Sequence, residues 1–145
     1  MLRRTVGDVA YTHPLLSLPP QASVRDAARL MKRDHVASVY VPRAGRDPAG
    51  IFTERDLTDR VVAEGLDPDR TTLAQVMSPA PAMIAVGATV AEALRLMFVH
   101  AVRHLPVIAA NGQVVAMVSM RDFLGTEVAD MDRARSLAEE VTEVL

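Results

Sequence analysis

The feature that most limits how this chain can fold is an internal duplication. Val24-Arg-Asp-Ala-Ala-Arg-Leu-Met31 is echoed by Val90-Ala-Glu-Ala-Leu-Arg-Leu-Met97. At the same spacing Val36 meets Val102, Val41 meets Val107, and Arg55-Asp56 meets Arg121-Asp122. From Ser17 to Leu57 the alignment needs no gap, and about eleven of some forty positions are identical where chance would give roughly three. Conservative pairs extend it: Ser23 with Thr89, Asp26 with Glu92, Ile51 with Met117, Thr53 with Ser119 and Leu57 with Phe123. A fold for this sequence must therefore use the same supersecondary unit twice.

Each copy reads as β-α-β-β-α. A short apolar strand comes first (Leu15 to Leu18; Ala82 to Val86). Ser23 or Thr89 then stands at an N-cap position with an acid three residues on, the pattern of a capping box. Apolar residues at 24, 27, 28, 30 and 31, repeated at 90, 93, 94, 96 and 97, follow the period of an amphipathic helix of about three turns. Two strands come next, Ser38 to Val41 and Gly50 to Phe52 in the first copy, His104 to Ile108 and Gln113 to Val118 in the second. Asn111-Gly112 reads as a two-residue hairpin turn, whereas Arg43 to Ala49 is a longer polar loop. A second helix starts after Thr53 and after Ser119, and Asp67 to Thr71 links the copies. The last stretch, 127–145, has apolar positions at helical spacing outside the repeat. It reads as an amphipathic helix that packs on the domain edge or docks a partner.

Composition narrows the function. Half of the 145 residues are hydrophobic, which argues against disorder, and a chain of this length buries roughly 70% of its unfolded surface. Aromatics are 3%, so the core must be aliphatic with methionine as filler. With no cysteine there are no disulfides, thiolate metal sites or cysteine nucleophiles. Sixteen basic and 18 acidic residues give a net charge of -2, which does not favour nucleic acid. The N-terminus lacks an apolar segment of signal-peptide length, and no run approaches the length of a membrane span; a cytoplasmic protein with no membrane contact is the expectation.

The residues able to carry chemistry cluster where each second helix begins. Gly50-Ile-Phe-Thr53-Glu-Arg-Asp56 matches Ala116-Met-Val-Ser119-Met-Arg-Asp122. One reading is structural: Thr53 with Asp56, and Ser119 with Asp122, form capping boxes. The other uses the same physics for a ligand. Free backbone N–H groups at a helix start attract anions, and a carboxylate there accepts hydrogen bonds from vicinal hydroxyls such as those of a ribose. No nucleophile–base pair, P-loop, metal triad or glycine-rich cofactor loop is present, so an enzyme is not expected. His100 and His104 straddle a helix-to-strand transition, which makes a shared metal improbable; His13 and His35 read as solvent-exposed.

Two such copies, each ending in this pattern, resemble a pair of CBS domains (the cystathionine-β-synthase-type module). Val76-Met-Ser-Pro79 and Val102-Arg-His-Leu-Pro-Val107 strengthen the resemblance, which covers roughly residues 5 to 126. It implies an α/β (α+β) fold in which repeat 1 (5–66) and repeat 2 (72–126) pack as one pseudo-two-fold module, with a C-terminal helix over 127–145. It further implies two clefts between the copies that bind adenosine compounds such as AMP, ATP, S-adenosylmethionine or NAD, with no obligatory cofactor. Carried over by position, Asp56 and Asp122 would hold ribose hydroxyls, and Thr53 and Ser119 would contact ribose or phosphate. Gly50, Ile51 and Met117 would line the adenine site. Arg103 matches a phosphate-binding position, since a guanidinium fork suits phosphate; His104 beside it reads either as a residue that stacks on a ligand or as a satisfied core or edge histidine. Thr5 and Thr72 match positions that reach the base, or are simply helix caps. The first copy has Ala37 and Ser38 where the second has Arg103 and His104, so the two clefts should differ; packing decides which cleft Arg103 serves. The resemblance also implies a homodimer through the second helices (54–63 and 120 onward) and a separate regulated protein as partner. The competing expectation is a structural dimerisation module with degenerate, empty clefts.

Overall fold

The structure, a computed structural model, describes residues 4–10, 15–46, 49–79, 82–123, 135 and 138–142. After a short helix α1 (Val6–Ala10), the first copy runs α2 (Val24–Asp34), β1 (Ser38–Val41), β2 (Gly50–Thr53) and α3 (Glu54–Asp56). α3 continues without a break as a π-helix over Leu57–Val62. The second copy follows as α4 (Leu73–Val76), β3 (Ser78–Pro79), β4 (Ile84–Ala85), α5 (Val90–His100), β5 (His104–Ile108) and β6 (Val114–Ser119), with 120–123 helical. The expected α/β duplication is therefore present.

The two first helices are built alike. In α2 the Ser23 hydroxyl accepts from the Asp26 N–H at 3.1 Å. In α5 Thr89 and Glu92 complete a reciprocal capping box, satisfying donors that a helix start leaves unpaired. Both end on a residue in the left-handed region, His35 (φ 55°) and Ala101 (φ 53°), whose N–H bonds back to Met31 and Met97 respectively. A non-glycine residue there costs roughly 1–2 kcal/mol. In exchange the chain turns sharply off each helix into the strand that follows, β1 in the first copy and β5 in the second.

Two three-stranded sheets result, ordered β1-β2-β3 and β4-β5-β6. β1 and β2 pair antiparallel with Val39 opposite Phe52, and β5 and β6 pair antiparallel with Leu105 opposite Val118. β4 joins β5 in parallel, Ile84 opposite Val107. The matching first-copy segment forms only an isolated parallel bridge, Ser17 to Tyr40. The β5–β6 connection differs from the expected two-residue turn. Ala109 N–H bonds Gln113 C=O at 2.9 Å and Gly112 N–H bonds Ala109 C=O at 2.9 Å. Three residues thus bridge the strands, with Gly112 (φ 84°) in the conformation that glycine tolerates best.

Packing crosses between the copies. Val6, Val9 and Ala10 of α1, the entry segment of the first copy, lie in a core with Met97, Leu105, Val118 and Phe123 of the second. Leu73 and Val76 of α4 lie in a core with Val24, Met31, Phe52 and Val61 of the first. β3 completes the first sheet, with Ile51 opposite Ser78. The same exchange shows in two isolated bridges, Thr5 to Thr89 and Ser23 to Thr72. Each entry threonine thus pairs with the residue that caps the other copy's first helix. Both cores are aliphatic apart from Phe52 and Phe123, and Met31 and Met97 fill them as expected.

The C-terminal helix expected over 127–145 lies almost wholly outside the described residues, as does His13. Residues 135 and 138–142 are helical and exposed.

Candidate functional site

Two cavities open between the copies, and their linings are related by the repeat. The first, about 270 Å³, is lined by Ile51, Thr53, Glu54, Arg55 and Asp56 of the first copy, by Ser78 and Pro79, and by Ala101, Val102, Arg103 and His104 of the second. The second, about 150 Å³, is lined by Met117, Ser119, Arg121 and Asp122 of the second copy, by Leu16, His35, Val36, Ala37 and Ser38 of the first, and again by His104. Each cavity therefore faces the helix start of one copy with the helix-to-strand corner of the other. Arg103 faces Thr53 and Asp56, not the acid of its own copy. The second cavity has Ala37 at the matching place, so the expected inequality of the clefts is present in their linings.

Local chemistry fixes the Thr53–Asp56 corner. Thr53 ends β2 in an extended conformation and caps α3. Asp56 Oδ2 accepts from Thr53 N–H at 3.0 Å and from the Thr53 hydroxyl at 3.2 Å, while the Asp56 N–H donates to Thr53 Oγ1 at 3.2 Å. Asp56 Oδ1 takes the Ser78 hydroxyl at 3.4 Å and faces Arg60 Nε at 3.6 Å. Arg60 is itself held by the carbonyls of Val76 and Met77, each at 3.2 Å. The capping reading of Thr53 and Asp56 is thus correct, and the same carboxylate also forms part of the cavity wall. At the second corner Ser119 N–H donates to Asp122 Oδ2 at 2.8 Å.

The charges differ as well. The first cavity carries Glu54 and Asp56 against Arg55 and Arg103; the second carries Asp122 against Arg121. Arg55 pairs with Asp59 at 3.4 Å, whereas among the described residues the Arg103 guanidinium has no ion-pair partner. Burial holds the His104 imidazole below its ordinary value of 6.5. Glu54, Asp122 and Asp56 pull the other way, and Arg103 adds to the depression.

Of the sequence-nominated residues, Ile51, Thr53, Asp56, Arg103 and His104 meet at the first cavity, and Met117, Ser119, Asp122 and His104 at the second. Thr5, Thr72 and Gly50 line neither. Thr5 exchanges hydrogen bonds with Asp8 at the start of α1, and Thr72 forms a capping box with Gln75 at the start of α4. Gly50 is buried where a Cβ would collide with the Met77 sulfur, so its missing side chain lets the entry segment close on β2. Arg55 and Arg121 also line the cavities. Ser78 is the residue that sequence reasoning left without a role. It stands in the Val76–Pro79 segment, and only the exchange of entry segments brings it to Asp56.

Known proteins with similar sequences share this duplication. The chain is 33% identical over 124 residues to an uncharacterised protein of Methanopyrus kandleri, covering 85% of this chain and 62% of that protein. It is 34% identical over 119 residues to the CBS domain-containing protein CBSCBSPB3 of Arabidopsis thaliana, covering 82% of this chain. The chain thus spans less than two thirds of the first relative and 21% of the second. Among solved structures, a hexameric CBS-CP12 protein from bloom-forming cyanobacteria superposes with a TM-score of 0.76 at 28% identity, over 86% of this chain and 67% of that one. A CBS domain protein from Pyrobaculum aerophilum, solved in complex with AMP, superposes with a TM-score of 0.72 at 26% identity, over 82% of this chain and 89% of that one. The sequence pattern that defines the CBS domain matches residues 6–63 and again 73–128, and the chain belongs to the CBS-domain family.

Proposed function

We propose that this chain is a regulatory module whose first cleft binds an adenosine-containing ligand bearing a phosphate, of the AMP or ATP type. The observation that carries this is the placement of Arg103 from one copy opposite Thr53 and Asp56 of the other, around a cavity of about 270 Å³. That volume is near the lower end of small-ligand sites. Arg103 supplies a guanidinium for phosphate. Ile51 and Val102 supply apolar surface for a base. Asp56 Oδ1 supplies an acceptor for ribose hydroxyls, because its contacts to Ser78 and Arg60 are long enough for a ligand to replace. The AMP complex of the Pyrobaculum aerophilum protein supports the ligand class. S-adenosylmethionine and NAD share the adenosine but place different charge at the Arg103 end.

The second cleft, about 150 Å³ and with Ala37 where the first has Arg103, is read as unoccupied by a whole nucleotide. Binding that prefers one arrangement of the copies shifts that arrangement, and a partner protein reads the difference. The role is recognition, not catalysis. Among the described residues no helix is long and apolar enough to cross a membrane, and the cytoplasm is the proposed site of action. Homodimerisation through the second helices is supported by Val62, the last residue of the π-helical segment, and Leu66 just after it, exposed at 67% and 42%. Light scattering should give a mass at least twice that of the 15.7 kDa chain, and a monomer would remove that part.

Thermal denaturation with AMP, ATP, S-adenosylmethionine and NADH tests the ligand reading. A ligand at about 100 times its Kd stabilises by roughly 2.7 kcal/mol. A clear upward shift with a phosphate-bearing adenosine compound supports it. No shift with any of the four at millimolar concentration contradicts it and favours a purely structural module.

A further inference from the structure

We propose that His104 distinguishes a phosphate-bearing ligand from an uncharged nucleoside in the first cleft, by taking up a proton from solvent as the anion enters. This rests on the nucleotide reading of that cleft and goes further, since it assigns the discrimination to one side chain. His104 opens β5 directly after Arg103, and it lines both cavities. The groups facing it come from every element around it. Glu54 and Asp56 stand at the start of α3, Asp122 at the start of the second copy's last helix, and Arg103 immediately precedes β5. Arg55 completes the charged lining of the first cavity, and His35 and Arg121 that of the second.

With the cleft empty, burial outweighs the three carboxylates and disfavours the charged imidazole. A phosphate beside Arg103 adds negative charge at close range in a partly desolvated site, where charge–charge attraction is strong. The balance then moves towards the imidazolium, which donates to the phosphate, while adenosine brings no charge and leaves the balance where it was. At the position matching His104 the first copy has Ser38, which is buried and carries no ionisable group in this range.

The test uses the full chain with labelled histidine. The chain has four histidines, and the His104 signal is assigned by its loss in His104→Gln. Imidazole resonances are titrated alone, with saturating AMP, and with saturating adenosine. The expected result is a His104 midpoint that moves up with AMP and stays in place with adenosine. In His104→Gln, AMP affinity near pH 6 should fall about tenfold, as loss of one charged hydrogen bond implies, and adenosine affinity should fall clearly less. If AMP binds, perturbing Thr53 and Arg103, but leaves the His104 midpoint where it was, this inference is overturned and the nucleotide reading stands. If AMP perturbs no residue of the first cleft, both fall together.

Discussion

The Ser78 hydroxyl donates to Asp56 Oδ1 at 3.4 Å, across 22 residues of chain. Through this contact the entry segment of the second copy becomes a wall of the first copy's cleft. Ser78→Ala should leave the fold intact but release that wall. A loss of about 1 kcal/mol, the usual net worth of a hydrogen bond, is expected in urea denaturation, together with weaker AMP binding.

The exchange of entry segments makes a sharper claim about stability. Leu73 is fully buried in the first core although it opens the second copy, and Leu105 is fully buried in the second. Leu73→Ala should therefore cost about 2–5 kcal/mol, the range for a buried leucine in a closed core. It should match Leu105→Ala, as measured by chemical denaturation. A cost below 1 kcal/mol at Leu73 would mean that α4 is not built into the first core.

The Thr53 cap carries both structure and site. Thr53→Ala removes the hydroxyl that accepts from Asp56 N–H and donates to its carboxylate. A loss of about 1–2 kcal/mol is expected for such a cap. Thr53→Ser keeps the hydroxyl and should recover most of it. Equal losses in both variants would show that the methyl group, not the cap, stabilises this corner.

His104 gives the fold a pH dependence of defined sign. Its folded value lies below 6.5, chiefly through burial. Well above 6.5 it is neutral in folded and unfolded chains alike. As pH falls from about 6.5 towards the lower folded value, the unfolded chain takes up the extra proton and stability declines. Below the folded value both forms are charged and this contribution stops changing. His104→Gln should flatten that part of the stability profile; an unchanged slope would assign it to other groups.

Much of the fold was legible because the duplication, the capping residues and the helical period are local signals that two copies repeat. The strands Ser38–Val41 and His104–Ile108 lie where the sequence reading puts them. The exchange of α1 and α4 was not legible. Helices of five and four residues carry too little pattern to say which copy's apolar face they cover. Nor does any composition cue mark the π-helical stretch Leu57–Val62. Asn111-Gly112 identified a turn with glycine in a left-handed position but not its three-residue span. At the site, Thr53, Asp56, Ser119 and Asp122 were readable from their caps. The placement of Arg103 in one cavity with Asp56 rather than Asp122 depends on how the copies face each other, and no spacing within one copy encodes it.

The central claim, that the cleft between Arg103 and the Thr53–Asp56 corner holds a nucleotide, is tested most directly by calorimetric titration of AMP into the wild type and Arg103→Ala. The account predicts saturable binding of one AMP per chain. In Arg103→Ala affinity should fall at least about tenfold, the worth of a charged hydrogen bond, with an unchanged thermal midpoint in the absence of ligand. No heat of binding at millimolar AMP, or wild-type affinity in Arg103→Ala, would contradict it.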